Sequence, residues 1–332
     1  MTIRLGVIGA GFIAGVHLSK FQNIEGVVLK GITDLRPERA QALKDKYGIE
    51  KVYDSADALI QANDIDAVIV ASANRYHAEH AIKALQQGKH VLCEKPMALN
   101  SSQAREIVKT QKSTGRTLMV AHQMRWEGIS QTIKQQIDKG ELGKIYNAKA
   151  GWWRRCGIPG WGSWFTRMEE SGGGPLIDIG VHMLDLSIWL MGNPRPVAVF
   201  GSTYAEFGPR KMGIGGWGTP EWDGVFNVED LATALIKMDN GATLTLEVSW
   251  AVNTDSTQKP FINLMGTEGG ASYYGGRGVF CGQKFGRPFD VEITSSNVDA
   301  RLNLSQHFID CIREGKEPIS PAVSGFANNL II

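Results

Sequence analysis

From residue 1 to about residue 121, short apolar runs alternate with amphipathic stretches. The runs are Ile3–Ile8, Val27–Thr33, Ala67–Ala71, His90–Cys93 and Leu118–Ala121, and the stretches between them include Pro37–Lys46, Tyr76–Gln87 and Asn100–Thr114. Continuously apolar strands are buried on both faces, so this alternation predicts a doubly wound parallel sheet with crossover helices. After about residue 122 the texture changes. Ala198–Tyr204, Leu231–Met238 and Ala242–Trp250 are longer, alternate in polarity, and are separated by Gly, Asn and Asp turns, which predicts a largely antiparallel sheet. Asp239-Asn240-Gly241 predicts a hairpin closed by a tight primed turn, because Asn-Gly supplies positive φ angles. Gly151–Gly174 and Phe207–Phe226 fit no element and are crowded with Gly and Trp. Loops this long are usually functional or disordered, and the tryptophans favour function.

A chain of 332 residues is long enough for two cores. The expected division is a dinucleotide-binding α/β domain over residues 1–121 and an α+β substrate domain over 122–332. With 35 basic and 34 acidic side chains and a net charge of +1, no global field draws the chain to nucleic acid or an anionic membrane. The cysteines Cys93, Cys156, Cys281 and Cys311 lack the paired spacing of a zinc or iron–sulfur site, so no metal is expected. They read as reduced thiols, no apolar run nears the roughly 20 residues of a membrane span, and no secretory signal opens the chain. The expected location is the cytoplasm.

The run ending at Ile8 leads at once into Gly9-Ala10-Gly11-Phe12-Ile13-Ala14 and then a helical stretch to about Asn23. A strand, this glycine pattern and a helix form the dinucleotide fingerprint in its proper setting. Gly9 permits the turn, Gly11 admits the pyrophosphate, Ala14 lets the helix pack on the strand, and the free amides around Phe12 and Ile13 face the phosphates. Asp34, twenty positions past Ala14, would accept from the adenosine ribose hydroxyls and repel a 2′-phosphate, so NAD is favoured over NADP. Arg36 partly offsets that repulsion. A plain turn carboxylate at Asp34 is the alternative.

Further along stand Asp66-Ala67-Val68-Ile69-Val70-Ala71, Asn74-Arg75-Tyr76-His77, Leu92-Cys93-Glu94-Lys95-Pro96 and Gly172-Gly173-Gly174-Pro175-Leu176-Ile177-Asp178-Ile179-Gly180-Val181-His182. With these the chain resembles the glucose–fructose oxidoreductase, inositol dehydrogenase and rhizopine-catabolism family over nearly its whole length. It departs from the family pattern at Ala73, where proline is common, and it stops within what reads as a final helix that relatives usually continue, which leaves open whether the C-terminus is truncated. The resemblance implies an N-terminal Rossmann domain joined to a large open, mostly antiparallel sheet, with the active site in the cleft between them. It also implies assembly as a homodimer or homotetramer through the exposed sheet face. The implied activity is NAD-dependent oxidation of a secondary alcohol on a sugar, sugar acid or cyclitol. Two family alternatives are a glycosidase that uses NAD for transient oxidation and a regulator that binds dinucleotide without catalysis. Lys95 matches the lysine of the family's Glu-Lys-Pro motif, and Asp178 and His182 match its acid and histidine.

Oxidising an alcohol requires a base within hydrogen-bond reach of the hydroxyl. Asp178 and His182 lie four apart on an expected helix, which places them on one face. His182 is the leading base, since imidazole titrates near neutrality. Lys95 holds the same oxygen or relays its proton, and Asp178 holds a neighbouring hydroxyl. Asp185 either orients the imidazole or is a solvated helix residue. Glu94 either contacts the nicotinamide ribose or pairs with a neighbour. His77 and Arg125, with Ala71, Asn74 and Lys95, are candidate cofactor contacts, against a structural histidine and a solvated arginine; His17, His80, His90 and His307 read as structural. Trp152, Trp153, Arg154, Arg155, Trp161 and Trp164 lie in the first long loop, and Trp217 and Trp222 in the second. Aromatic faces suit the C–H face of a sugar ring, though packing explains tryptophans nearly as well. Arg154 and Trp164 are the candidate substrate contacts there, and an arginine would suit an acidic sugar.

Overall fold

A computed structural model describes residues 1–255, 259–294 and 298–332. Their contacts divide into two units, Met1–Gln123 with Asp299–Asn329, and Met124–Val298 with Leu330–Ile332.

The first unit contains strands β1 (Ile3–Ile8), β2 (Val27–Thr33), β3 (Lys51–Val52), β4 (Ala67–Val70), β5 (His90–Cys93) and β6 (Leu118–Val120), and helices α1 (Phe12–Phe21), α2 (Pro37–Tyr47), α3 (Ala56–Gln61), α4 (His77–Gln86) and α5 (Ser101–Thr114). The strands form one parallel sheet in the order β3-β2-β1-β4-β5-β6, the doubly wound arrangement whose strand order reverses between β1 and β4. Every residue of β4 is buried, as expected for a strand covered on both faces. Local chemistry sets the helix ends. The Asn100 side chain accepts from Gln103 N at 3.0 Å to start α5, Pro37 opens α2, and Gly48 and Gly115 close α2 and α5 in the left-handed region.

The second unit contains α6 (Gly128–Asp138), β7 (Ile145–Trp153), the short α7 (Met168–Ser171), α8 (Val181–Leu190), and strands β8 (Pro196–Tyr204), β9 (Leu231–Met238), β10 (Thr243–Ser249), β11 (Phe261–Gly266), β12 (Gly269–Tyr274), β13 (Arg277–Lys284) and β14 (Arg287–Ile293). Its sheet runs β14-β13-β12-β11-β7-β10-β9-β8 and is antiparallel except for the β7–β10 pair. The β9–β10 hairpin stands at Asp239–Gly241, but its turn differs from the primed one expected. Only Gly241 takes a positive φ, +88°, and its N–H bonds Met238 O at 3.0 Å, so a three-residue loop with a glycine bulge replaces it.

The two long loops of this unit are ordered against each other. Ile158 and Ile214 form a parallel bridge, Gly160 N donates to Trp217 O at 2.9 Å, and Trp161 Nε1 donates to Gly208 O at 2.7 Å. The glycines are what permit this approach: a Cβ on Gly215 would lie 2.8 Å from Gly157 Cα, and one on Gly224 would overlap the carbonyl of Gly162. Trp161 is buried and stacks on Trp222 and Phe226, so part of the tryptophan content is packing. β7 also runs through Trp153, which shortens the first loop at its start.

After the second sheet the chain returns to the first unit as α9 (Ala300–Glu314) and α10 (Ala322–Ile331). This differs from a single boundary at residue 121, and the reason is an apolar helix face that sequence cannot assign to a partner. Phe308, Ile309 and Cys311 of α9 are buried, with the Phe308 ring edge-on to Phe21 of α1 at 6.4 Å. Val120 N donates to Ser320 O at 2.9 Å, and Ala322 joins the core of Val91, Leu118 and Val120. Among the described residues, no helix is long and apolar enough to cross a membrane. The Phe308→Ala variant is expected to destabilise the protein by about 3–5 kcal/mol in chemical denaturation, since both rings are fully buried. A loss under about 1 kcal/mol would show that α9 contributes little to that core.

Candidate active site

The first unit presents its chemistry at the carboxyl ends of β1, β2, β4 and β5. Gly9 has φ +98°, and a side chain there would collide with the carbonyl of Ala71, so only glycine closes this turn. Gly11 is the N-cap of α1, and a Cβ built on it meets nothing within 4 Å. No side chain caps α1 and no acidic residue stands in its first turn, so no side-chain cap takes up its leading amides, those of Phe12 and Ile13 among them. Such a terminus fits a pyrophosphate. Ala14 is fully buried. Asp34 sits over the glycine turn: Oδ2 accepts from Ala10 N at 2.6 Å and Oδ1 from Arg36 N at 2.8 Å. These two bonds fix the carboxylate where the fold directs an adenosine ribose. Arg36 is exposed.

Asn74, buried, opens a 3₁₀ turn that leads into α4 at His77. The buried His77 bridges two backbone segments, Nδ1 lying 2.7 Å from Pro96 O and Nε2 2.9 Å from Ser72 O. Burial pulls its pKa down against the opposing pull of those two carbonyls. Glu94, at the end of β5, is also buried and takes the imidazole Nε2 of His17 at 2.7 Å and the Lys95 N–H at 3.1 Å. Burial alone would raise its carboxyl, but the His17 hydrogen bond and the nearby positive charges outweigh this and bring it to about 2. Lys95 is half-buried, and its peptide bond to Pro96 is cis.

In the second unit Asp178 lies not in a regular helix but in a π turn, Leu176–Gly180, that leads directly into α8. The cause is local. Gly172-Gly173-Gly174 bends the chain, and the half-buried carboxylate of Glu229 accepts from Gly174 N at 2.8 Å and Leu176 N at 3.0 Å, while any side chain on Gly174 would overlap the Glu229 main chain. The four-residue helical spacing expected of Asp178 and His182 therefore spans a π turn and the first residues of α8, and π turns concentrate at functional sites. Asp178 Oδ2 accepts from the indole Nε1 of Trp250 at 3.0 Å. Arg154, immediately after β7, stacks on the Trp152 ring at 4.5 Å and feels the charge of Asp178, while burial pulls its pKa below the usual arginine value. Every residue of α8 is buried, His182 included at 8% exposure.

Asp185 is 2% exposed and takes Arg125 in a bidentate pair, Nε to Oδ2 at 2.7 Å and Nη2 to Oδ1 at 2.6 Å. The readings of Asp185 as a solvated helix residue and of Arg125 as a solvated arginine are therefore corrected: each supplies the countercharge the other requires on being buried. Trp164 packs on Phe165, whose ring meets Trp217 edge-on, and Trp217 and Trp222 are half-exposed. Arg155 is exposed and donates to Asp255 O. Sequence reasoning read His17 as structural without a partner, which the structure supplies as Glu94. It missed Trp250 and Glu229, for which the sequence carries no signal.

A Rossmann sheet of this order, with an uncapped helix terminus and a carboxylate fixed beyond its second strand, is the mark of a dinucleotide-binding protein. Residues 3–122 match the oxidoreductase family with an NAD-binding Rossmann fold, and residues 130–272 match the GFO/IDH/MocA C-terminal domain. The D-glucoside 3-dehydrogenase of Escherichia coli K12 is 39% identical over 274 residues, 82% of this chain and 77% of that protein. An inositol 2-dehydrogenase of Salmonella typhimurium LT2 is 24% identical over 326 residues, 97% of this chain and 89% of that one. A levoglucosan dehydrogenase solved with NADH and levoglucosan superposes with a TM-score of 0.87 at 21% identity, covering 100% of this chain and 95% of that one. The chain belongs to the GFO/IDH/MocA oxidoreductase family, and its cofactor is NAD.

Replacing Asp34 by serine is expected to raise the NADP-to-NAD ratio of kcat/KM by about tenfold or more, because a fixed negative charge no longer opposes a 2′-phosphate. An unchanged ratio would remove Asp34 from cofactor selection. Glu94 titrates at about 2 against the ordinary 4.5, so its stabilisation is complete above about pH 4.5 and is lost as pH falls toward 2. The wild-type melting temperature is thus expected to fall more steeply across that window than that of Glu94→Gln; parallel curves would contradict the shift.

Proposed function

We propose that the protein oxidises a secondary hydroxyl of an uncharged sugar ring, a glycoside being the favoured class and a cyclitol or sugar acid the less favoured ones. The observation that carries this reading is the grouping of Asp178, Trp250, Arg154 and Trp152 within the second unit. An acceptor and a cation at the same spot suit two neighbouring hydroxyls. A carboxylate on the substrate would have to stand beside the charge of Asp178, which disfavours a sugar acid. The 39% identical D-glucoside 3-dehydrogenase supports the same class.

In this reading the imidazole of His182 accepts the hydroxyl proton, and the Lys95 ammonium hydrogen-bonds the same oxygen and stabilises negative charge as it develops there. Asp178 holds an adjacent hydroxyl and orients the ring, with Trp250 Nε1 fixing one carboxylate oxygen. Bound NAD supplies the hydride acceptor. Two further parts of the reading are assembly as a homodimer or homotetramer and a cytoplasmic location.

Lys95→Ala and His182→Ala are each expected to lower kcat by about 10²–10⁴-fold, with NADH affinity changed by less than about threefold. Stoichiometric NADH formation on a nitrophenyl glucoside, without release of nitrophenol, separates dehydrogenase from NAD-using glycosidase. Full activity in both variants, or nitrophenol without NADH, would overturn the reading.

A further inference from the structure

Three side chains of the first unit fasten the backbone on both sides of Lys95. Before it, Glu94 Oε1 meets Nε2 of His17 at 2.7 Å and Oε2 accepts the Lys95 N–H at 3.1 Å. After it, Nδ1 of His77 meets Pro96 O at 2.7 Å, and the same ring reaches Ser72 O at 2.9 Å. His17 is 1% exposed, and its Nδ1 is enclosed without a hydrogen-bond partner among the described residues. Nε2 therefore carries the proton of this contact and donates it to the Glu94 carboxylate. His17 stands on α1, the helix whose terminus faces the phosphates, so a buried hydrogen bond ties that helix to the lysine-bearing turn. Glu94 itself is only 6% exposed with both oxygens engaged, which leaves almost no surface for a ribose.

We propose that Glu94 is a positioning residue, locked by His17, that aims Lys95 through its backbone and its charge, rather than a ligand of the nicotinamide ribose. This rests on the role given to Lys95 above. The charged and titratable groups around the Glu94 carboxylate come from every element against it: His17 from α1, His77 from α4, Cys93 from β5, Lys95 from its own turn and Arg301 from α9. Arg301 keeps Nη1 buried without a hydrogen-bond partner among the described residues, so it acts on Glu94 through its field. Disturbing the lock displaces the Lys95 ammonium by a fraction of an ångström to an ångström, a shift that costs turnover far more than it costs binding.

The test compares His17→Leu, His17→Gln, Glu94→Gln and Lys95→Ala in the full chain, reading kcat, its pH profile, the NADH dissociation constant by fluorescence, and melting temperature. In His17→Leu kcat is expected to fall about 10–100-fold while NADH binding changes by less than about threefold. His17→Gln recovers most of that loss, because a glutamine amide nitrogen reaches the place of Nε2. In Glu94→Gln the limb of the kcat profile that depends on Lys95 moves to lower pH, since a negative charge beside an ammonium is gone. A tenfold loss of NADH affinity with kcat spared would make Glu94 a ribose ligand and overturn the proposal. Full turnover in His17→Leu, or an unmoved profile in Glu94→Gln, would overturn it too while Lys95→Ala remains inactive. Full activity in Lys95→Ala overturns instead the catalytic reading beneath it. Should His17→Leu fail to fold, the Glu94→Gln profile decides.

Discussion

The main chain of Gly9 lies so close to that of Ala71 that a single methyl group would not fit between them. This contact stands at the carboxyl ends of β1 and β4, the pair at which the strand order of the sheet reverses. Connections on either side of such a point leave toward opposite faces, and the gap they open is where doubly wound folds receive ligands. The position of α1, the placement of Asp34 over the turn and the start of the Asn74 segment all follow from strands brought this near to one another. The sheet is in this sense a jig, and the cofactor chemistry is attached to its end.

The second unit solves a different problem, which is how to carry charged and polar groups inside an almost dry helix. All ten residues of α8 are buried, yet they include His182 and Asp185. Arg125 answers Asp185 with two short hydrogen bonds and also lies over the face of Trp189. A buried pair of this kind adds little net stability but tolerates only one arrangement, so it acts chiefly as a register pin. Glu229 does the same at the other end by gripping the two amides that enter the π turn. The helix that offers His182 is thus fixed lengthwise before any substrate arrives.

Much of this was readable from the residues alone, and the boundary of what was readable is physical. Five of the six parallel strands declared themselves within about a residue because burial on both faces leaves a continuous apolar run, whereas the two-residue β3 leaves none, and the stretch that opens at Asn100 began where its cap stands because caps are local. Asp178 and His182 stood out by their motif, but the π turn between them did not, since the residue that enforces it, Glu229, is distant in sequence. The Arg125–Asp185 and His17–Glu94 pairs were hidden for the same reason. At the hairpin, Asn240-Gly241 marked the reversal correctly, yet dipeptide chemistry could not distinguish a two-residue primed turn from a three-residue loop with a glycine bulge. Helix α9 shows a clear apolar face, and nothing in its composition tells which of two cores it completes.

That docking of α9 and α10 has a consequence for how the molecule comes into being. Phe21 and Val120 leave the ribosome early, but Phe308, Ser320 and Ala322, which finish their surroundings, are synthesised only after the whole second sheet. The nucleotide-binding core can close only after that intervening polypeptide has been made, and its completion closes a loop that contains the whole second sheet. The core whose synthesis begins first is therefore unfinished until the last helices are made.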